Sequence, residues 1–209
     1  MDFHAARQNM VESQVRVNDV TDAGLQLAMR KVERERLCAA SQDFGAYGEV
    51  EAVIAPGRVL MKPRDIAKLL QTLEPKPGET ALALAAPYAA AVMAEAGLKV
   101  TAQESDPRAM AIVEPYLKEL GVAIAVADLK VPAGKEYDAI ITEGAVAELP
   151  AAWLKALKVG SRLAVVLKDG PVGRARLYIR LENGFSEREV FDSAPATLPG
   201  FERSLSFEF

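Results

Sequence analysis

The chain has 209 residues, 25 Lys and Arg against 29 Asp and Glu, a formal net charge of −4, and half of its residues are hydrophobic. That length suits one domain with a sizeable core, and the acidic balance gives no electrostatic reason to expect nucleic acid or an anionic membrane as a partner. A single cysteine, Cys38, excludes an internal disulfide, and a single histidine, His4, excludes a His/Cys metal cluster.

Residues 1–7 lack the apolar core of a signal peptide. The longest apolar run, residues 80–94, is interrupted by Pro87 and is too short to cross a bilayer. With a lone thiol that fits a reducing compartment, the expectation is a soluble, cytoplasmic protein.

Taken in order, residues 2–45 read as helical. Thr21 or Asp22 can cap a helix whose Leu25, Ala28, Met29 and Val32 share one face. The charged residues 31–36 then read as a solvated face, and Cys38 as a small core residue. Between residues 44 and 63 Gly45, Gly48, Pro56 and Gly57 mark a loop region with one short strand over 50–54. A helix starts at Pro63 and turns Ile66, Leu69, Leu70 and Leu73 inward. Residues 1–62 therefore form a helical extension and loop, and 63–209 the core of a single domain.

Pro75-Lys76-Pro77-Gly78 launches a buried strand over 79–85, followed by an alanine-rich helix over 88–96 and a second strand over 98–104. Another helix opens at Pro107 with Met110, Val113, Leu117 and Leu120 inward, and its interior Pro115 predicts a kink near 111–115. Strands follow over 122–126, 137–142 and 160–167, with a short helix from Pro150 carrying Trp153, Leu154 and Leu157, of which Trp153 reads as a core or rim anchor. Residues 174–180 alternate Ala175, Leu177 and Ile179 with Arg174, Arg176, Tyr178 and Arg180, a strand with one wet face. Residues 204–209 read as a last alternating strand. The fold class is α/β, a Rossmann-like, doubly wound, mostly parallel sheet of seven strands with an antiparallel C-terminal hairpin.

In such sheets a nucleotide-like cofactor sits at the carboxyl end of the first strand, where glycines let the backbone approach it and an acid after the next strand takes its ribose hydroxyls. Glu104 stands in the place of that acid. The turn, Ala85-Ala86-Pro87-Tyr88, has no glycine.

The N-terminal wording narrows the comparison. Met10-Val11-Glu12-Ser13-Gln14-Val15-Arg16, then Val20-Thr21-Asp22, Ala28-Met29 and Val32-Glu33-Arg34-Glu35-Arg36-Leu37, is similar to the opening of protein-L-isoaspartate O-methyltransferases. The likeness continues through Lys76-Pro77-Gly78-Glu79, Tyr137-Asp138-Ala139-Ile140-Ile141 and Leu157-Lys158-Val159-Gly160-Ser161-Arg162-Leu163, and covers about residues 5–170. The layout also resembles class I S-adenosylmethionine-dependent methyltransferases at large. The resemblance implies protein repair: a methyl group passes from S-adenosylmethionine to the side-chain carboxylate of an L-isoaspartyl residue in a damaged protein.

Two parts of the family's machinery are altered. Its cofactor loop, roughly V-L-[DE]-[IV]-G-x-G-[ST]-G-Y, aligns with Ala81-Leu82-Ala83-Leu84 and Ala85-Ala86-Pro87-Tyr88, so Ala83 replaces the acid and the turn is two residues shorter. Alanine at positive φ costs about 1–2 kcal/mol, Pro87 offers no N–H, and loss of a few hydrogen bonds weakens a micromolar site roughly 10²- to 10³-fold. Its catalytic loop I-S-Q-P aligns with Leu60-Met61-Lys62-Pro63, and Met61 lacks the serine hydroxyl. By the resemblance Glu104 and Asp128 match positions that hold the ribose and face the adenine, and Glu143, just past the fourth strand, lies near the same cleft. The resulting expectation is a non-catalytic pseudo-methyltransferase with no bound cofactor, serving as a binding or regulatory module for an unidentified protein partner. Two alternatives stand: an active S-adenosylmethionine-dependent enzyme with a rearranged loop acting on damaged protein, or a cleft repurposed for another small ligand.

Overall fold

In the computed structural model, which describes residues 2–203, capping side chains and prolines set most element starts. Helix α1 (Phe3–Met10) is capped by the Asp2 carboxylate, which accepts from the Ala5 N–H at 3.0 Å. It runs on through a wider turn over Val11–Val15 to Asp19, whose φ of +65° ends it. Asp22, rather than Thr21, caps α2 (Ala23–Lys31), accepting from the Leu25 N–H at 2.9 Å. Short turns over Arg34–Leu37 and Ala40–Gly45 lead to β1 (Ala52–Ala55) and β2 (Arg58–Leu60), an antiparallel hairpin. Its second strand pairs the one expected over 50–54.

Proline then opens three helices in the first-turn position where its missing N–H goes unnoticed: α3 (Pro63–Leu73), α4 (Pro87–Glu95) and α5 (Pro107–Glu119). The last runs unbroken through Pro115. They alternate with β3 (Thr80–Leu84), β4 (Lys99–Glu104) and β5 (Ala123–Val126). The chain finishes with β6 (Tyr137–Val146), α6 (Ala151–Lys155), β7 (Leu157–Asp169), β8 (Val172–Leu181) and β9 (Gly184–Asp192).

The seven-stranded sheet has the order β5-β4-β3-β6-β7-β8-β9, parallel from β5 to β7 and antiparallel for the last two pairings. This is the Rossmann-like α/β architecture that the sequence implies. Consecutive β3 residues serve two cores: Ala81 and Ala83 join the cluster that holds α3, α4 and α5, whereas Leu82 and Leu84 pack with Trp153, Leu163 and Phe201. Alanine on both α4 and its face of β3 lets helix and sheet approach closely.

The seventh strand of the described sheet is β9; the strand expected over 204–209 lies outside the described residues. Strand β9 escaped notice because nearly all of it is exposed, so Ser186, Glu187, Arg188 and Glu189 give it no apolar alternation. Strand β6 is longer than 137–142, so Glu143 sits inside it, at the irregularity between Ile141 and Ala145, and not beyond its end.

Residues 193–201 cross the carboxyl end of the sheet and attach to β6. The Ala145 N–H donates to the Ala196 carbonyl at 2.9 Å, and the Leu198 N–H returns a bond to the Ala145 carbonyl at 2.8 Å. The Ala147 N–H donates to the Phe201 carbonyl at 2.9 Å.

Candidate functional site

Strand β3 is the switch point: β4 lies on one side and β6 on the other, and a crevice opens at the carboxyl end of such a strand. The turn that leaves β3 keeps the bend a glycine would make. Ala85 has φ +47° and is held there by its N–H, which donates to the Gln103 carbonyl at 2.8 Å. For a residue with a Cβ this conformation is strained by about 1–2 kcal/mol.

The crevice itself is nearly closed. What remains, lined by Ile54, Ala85, Pro87, Glu104, Met110 and their neighbours, measures about 10 Å³, the room of a single water. The Ala85, Ala86 and Pro87 side chains are buried. Above them Glu104 is taken: Arg58 Nε lies 3.0 and 3.1 Å from its two carboxylate oxygens, and the Ser105 and Asp106 N–H groups donate to Oε1 at 2.7 and 2.8 Å. Arg58 Nη2 also donates to Ser105 Oγ at 3.1 Å, and the pair is almost fully buried. The β1–β2 hairpin thus places a guanidinium on the carboxylate that the resemblance assigns to a ribose.

Asp128 is not part of this remnant. It is exposed and closes its own turn by accepting from the Lys130 N–H at 2.9 Å. The buried neighbour is Gln103, whose amide donates to the Asp128 and Val131 carbonyls at 2.7 and 2.8 Å and accepts from the Ala133 N–H at 2.7 Å.

A second buried cluster gathers Met61, Tyr88 and Glu143 with Arg34. Helix α4 has no side-chain cap of its own at Ala86. Glu143 supplies one from β6, its Oε2 accepting from the Tyr88 and Ala89 N–H groups at 2.8 and 3.3 Å. Arg34 Nε donates to the Ala46 carbonyl at 2.6 Å, Nη2 donates to the Met61 carbonyl, and the guanidinium lies 4.5 Å over the Tyr88 ring. Arg34, Met61 and Tyr88 are fully buried, so Arg34 departs from the solvated face expected for residues 31–36. Burial raises the Glu143 carboxyl to about 7, against the opposing pull of Arg34 and of the Tyr88, Ala89 and Met61 N–H groups.

The family model for protein-L-isoaspartate(D-aspartate) O-methyltransferase (PCMT) matches residues 5–190. The chain belongs to the protein-L-isoaspartate O-methyltransferase family. It is 31% identical over 199 residues to the protein-L-isoaspartate O-methyltransferase of Methylorubrum populi, covering 92% of this chain and 93% of that one. The Petrotoga mobilis protein of the same name is 26% identical over 200 residues, with 92% and 94% covered. Among solved structures, the Plasmodium falciparum protein-L-isoaspartate O-methyltransferase, in complex with S-adenosyl-L-homocysteine, superposes with a TM-score of 0.78 at 17% identity. That alignment covers 92% of this chain and 97% of the other, and shows the shared fold.

Set against the family's cofactor, the residues present do not fit. A ligand of that size needs a pocket of roughly 300 Å³ or more, the turn offers alanine and proline in place of glycine, and Arg58 already occupies Glu104. Met61, which the resemblance aligns with the family's catalytic serine, is a buried thioether. Arg58 and Gln103 belong to no sequence motif, whereas Arg34 lies inside a family-like stretch. Among the described residues, no helix is long and apolar enough to cross a membrane, and no His, Cys, Asp and Glu group could hold a metal ion.

Proposed function

We propose that this member of the family is a non-catalytic pseudo-methyltransferase that acts as a binding or regulatory module. The observation that carries this reading is the Arg58–Glu104 ion pair over a cavity of about 10 Å³. An internal cation takes the polar anchor, and the pocket at the β3 turn, at about 10 Å³, has no room for a nucleoside. Met61 supports it from the other side of the mechanism, since a thioether donates no hydrogen bond. A larger open cleft of about 370 Å³ lies beside the Met61 segment, between Lys62, Asp65, Gly173 and Ser193.

The test is calorimetric titration with S-adenosylmethionine and S-adenosyl-L-homocysteine up to about 1 mM, paired with thermal denaturation in the same ligands. We expect no saturable heat and no rise in Tm. A stoichiometric micromolar site overturns the reading and restores an active methyltransferase with a rearranged loop. Methyl transfer to an isoaspartyl peptide would then be the measurement that follows.

A further inference from the structure

Three buried polar atoms meet in the Arg34 cluster without a hydrogen-bond partner: Arg34 Nη1, the Tyr88 hydroxyl and Glu143 Oε1. Glu143 is 1% exposed, and Arg34 and Tyr88 are 0% exposed. The arrangement is not local decoration. Through Arg34 the cluster ties the Arg34–Leu37 turn to the Ala46 and Met61 carbonyls, and through Glu143 it ties β6 to the start of α4. Burial disfavours an ionised carboxylate in such a place, and Arg34 and the N–H groups offset that only in part. The ionised form must be paired more fully than it is here, or reach water.

We propose that Glu143 is a proton-controlled latch: as the neutral acid it keeps residues 34–61 sealed against α4, and on losing its proton it draws in water and loosens that seal. Arg34 and Tyr88 are the charged and titratable groups that face it; Met61 and Ala89 bring only backbone N–H groups. The direction follows from linkage. A carboxyl raised to about 7 in the closed state, from an ordinary value of 4.5, binds its proton more tightly there than when solvated. The closed state is therefore favoured below about pH 4.5, and that advantage is lost as the pH rises through about 7. The chain has one histidine, His4, and it lies on the exposed part of α1, outside the Glu143 cluster. The latch goes beyond the pseudo-enzyme reading and does not depend on it.

Amide hydrogen exchange followed residue by residue in the full chain tests it. Protection factors normalise for the intrinsic base catalysis of exchange. Those of the Tyr88 and Ala89 amides are expected to fall about tenfold between about pH 6 and pH 8.5, while those of Val165 and Leu177 in the β7–β8 pair stay level. In Glu143→Gln the pH dependence at Tyr88 and Ala89 should vanish. Level protection in the wild type, an equal fall in Glu143→Gln, or a parallel fall at Val165 and Leu177 overturns the proposal. Should the variant fail to fold, carbon-detected titration of the wild-type Glu143 carboxyl decides: a midpoint near neutrality supports the latch, and an ordinary carboxylate midpoint rejects it.

Discussion

Arg58 and Glu104 show how one side chain can change what a family-like position does. Glu104 reads in the sequence as a ribose-binding acid, and its place at the end of β4 agrees with that. Its carboxylate is nevertheless spent on Arg58 Nε and on the two N–H groups that follow it. Both partners are almost fully buried, so removing the cation leaves a charge with incomplete compensation. Arg58→Ala should therefore destabilise the protein by about 3 kcal/mol, read from urea denaturation at neutral pH. In a Glu104→Gln background the same substitution should lose much less, since the stranded charge is gone. A change below about 1 kcal/mol in the wild-type background would mean that the pair contributes no more than a surface ion pair does.

At the scale of elements, the segment over 193–201 closes the sheet's carboxyl end because two glycines let it approach. A Cβ on Gly173 would lie 2.0 Å from the Ser193 carbonyl oxygen, and one on Gly144 would lie 2.6 Å from the Leu198 side chain. Both are collisions that backbone or core must yield to. Leu198 and Phe201 are buried on this segment, and Phe201 lies 5.5 Å from Trp153, the single tryptophan. Gly173→Ala should displace the segment, red-shift Trp153 emission and speed proteolysis within residues 193–201 by tenfold or so. Unchanged emission and cleavage would show that the strand ends absorb the collision. The β8–β9 ribbon illustrates the opposite case. Arg174 and Arg176 pair with Glu187, Glu189 and Asp192 across the outer face of the ribbon, and such pairs are worth little each.

For the molecule as a whole, the N-terminal helices are part of the main core. Met10, Val15, Met29 and Leu37 belong to the same buried cluster as Tyr88, Ala89 and Ala83. Arg7 and Arg34 reinforce the junction at Tyr47, whose hydroxyl accepts from Arg7 Nε at 3.0 Å and from the Arg34 N–H at 3.2 Å while donating to Glu35. A chain that starts at residue 63 exposes one whole side of α4 and should lose cooperative thermal unfolding, because net stabilities of a few kcal/mol do not survive such a loss. A sharp, reversible transition in that fragment would show instead that the extension is an appendage.

The sequence by itself determined the α/β class and most of the succession of elements along the chain. Period-two and period-3.6 patterns, together with prolines at helix starts, depend on neighbours a few residues away, and so did the altered letters at Ala85, Ala86, Pro87 and Met61. Tertiary structure alone decided what those letters lead to. That Arg58 reaches Glu104 across 46 positions, that Arg34 is buried over Tyr88 and not solvated, and that Glu143 caps a helix from a strand 54 residues further on than Ala89 are contacts between distant parts of the chain. No local pattern encodes them, because a charged side chain looks the same in sequence whether it ends in water or in the core.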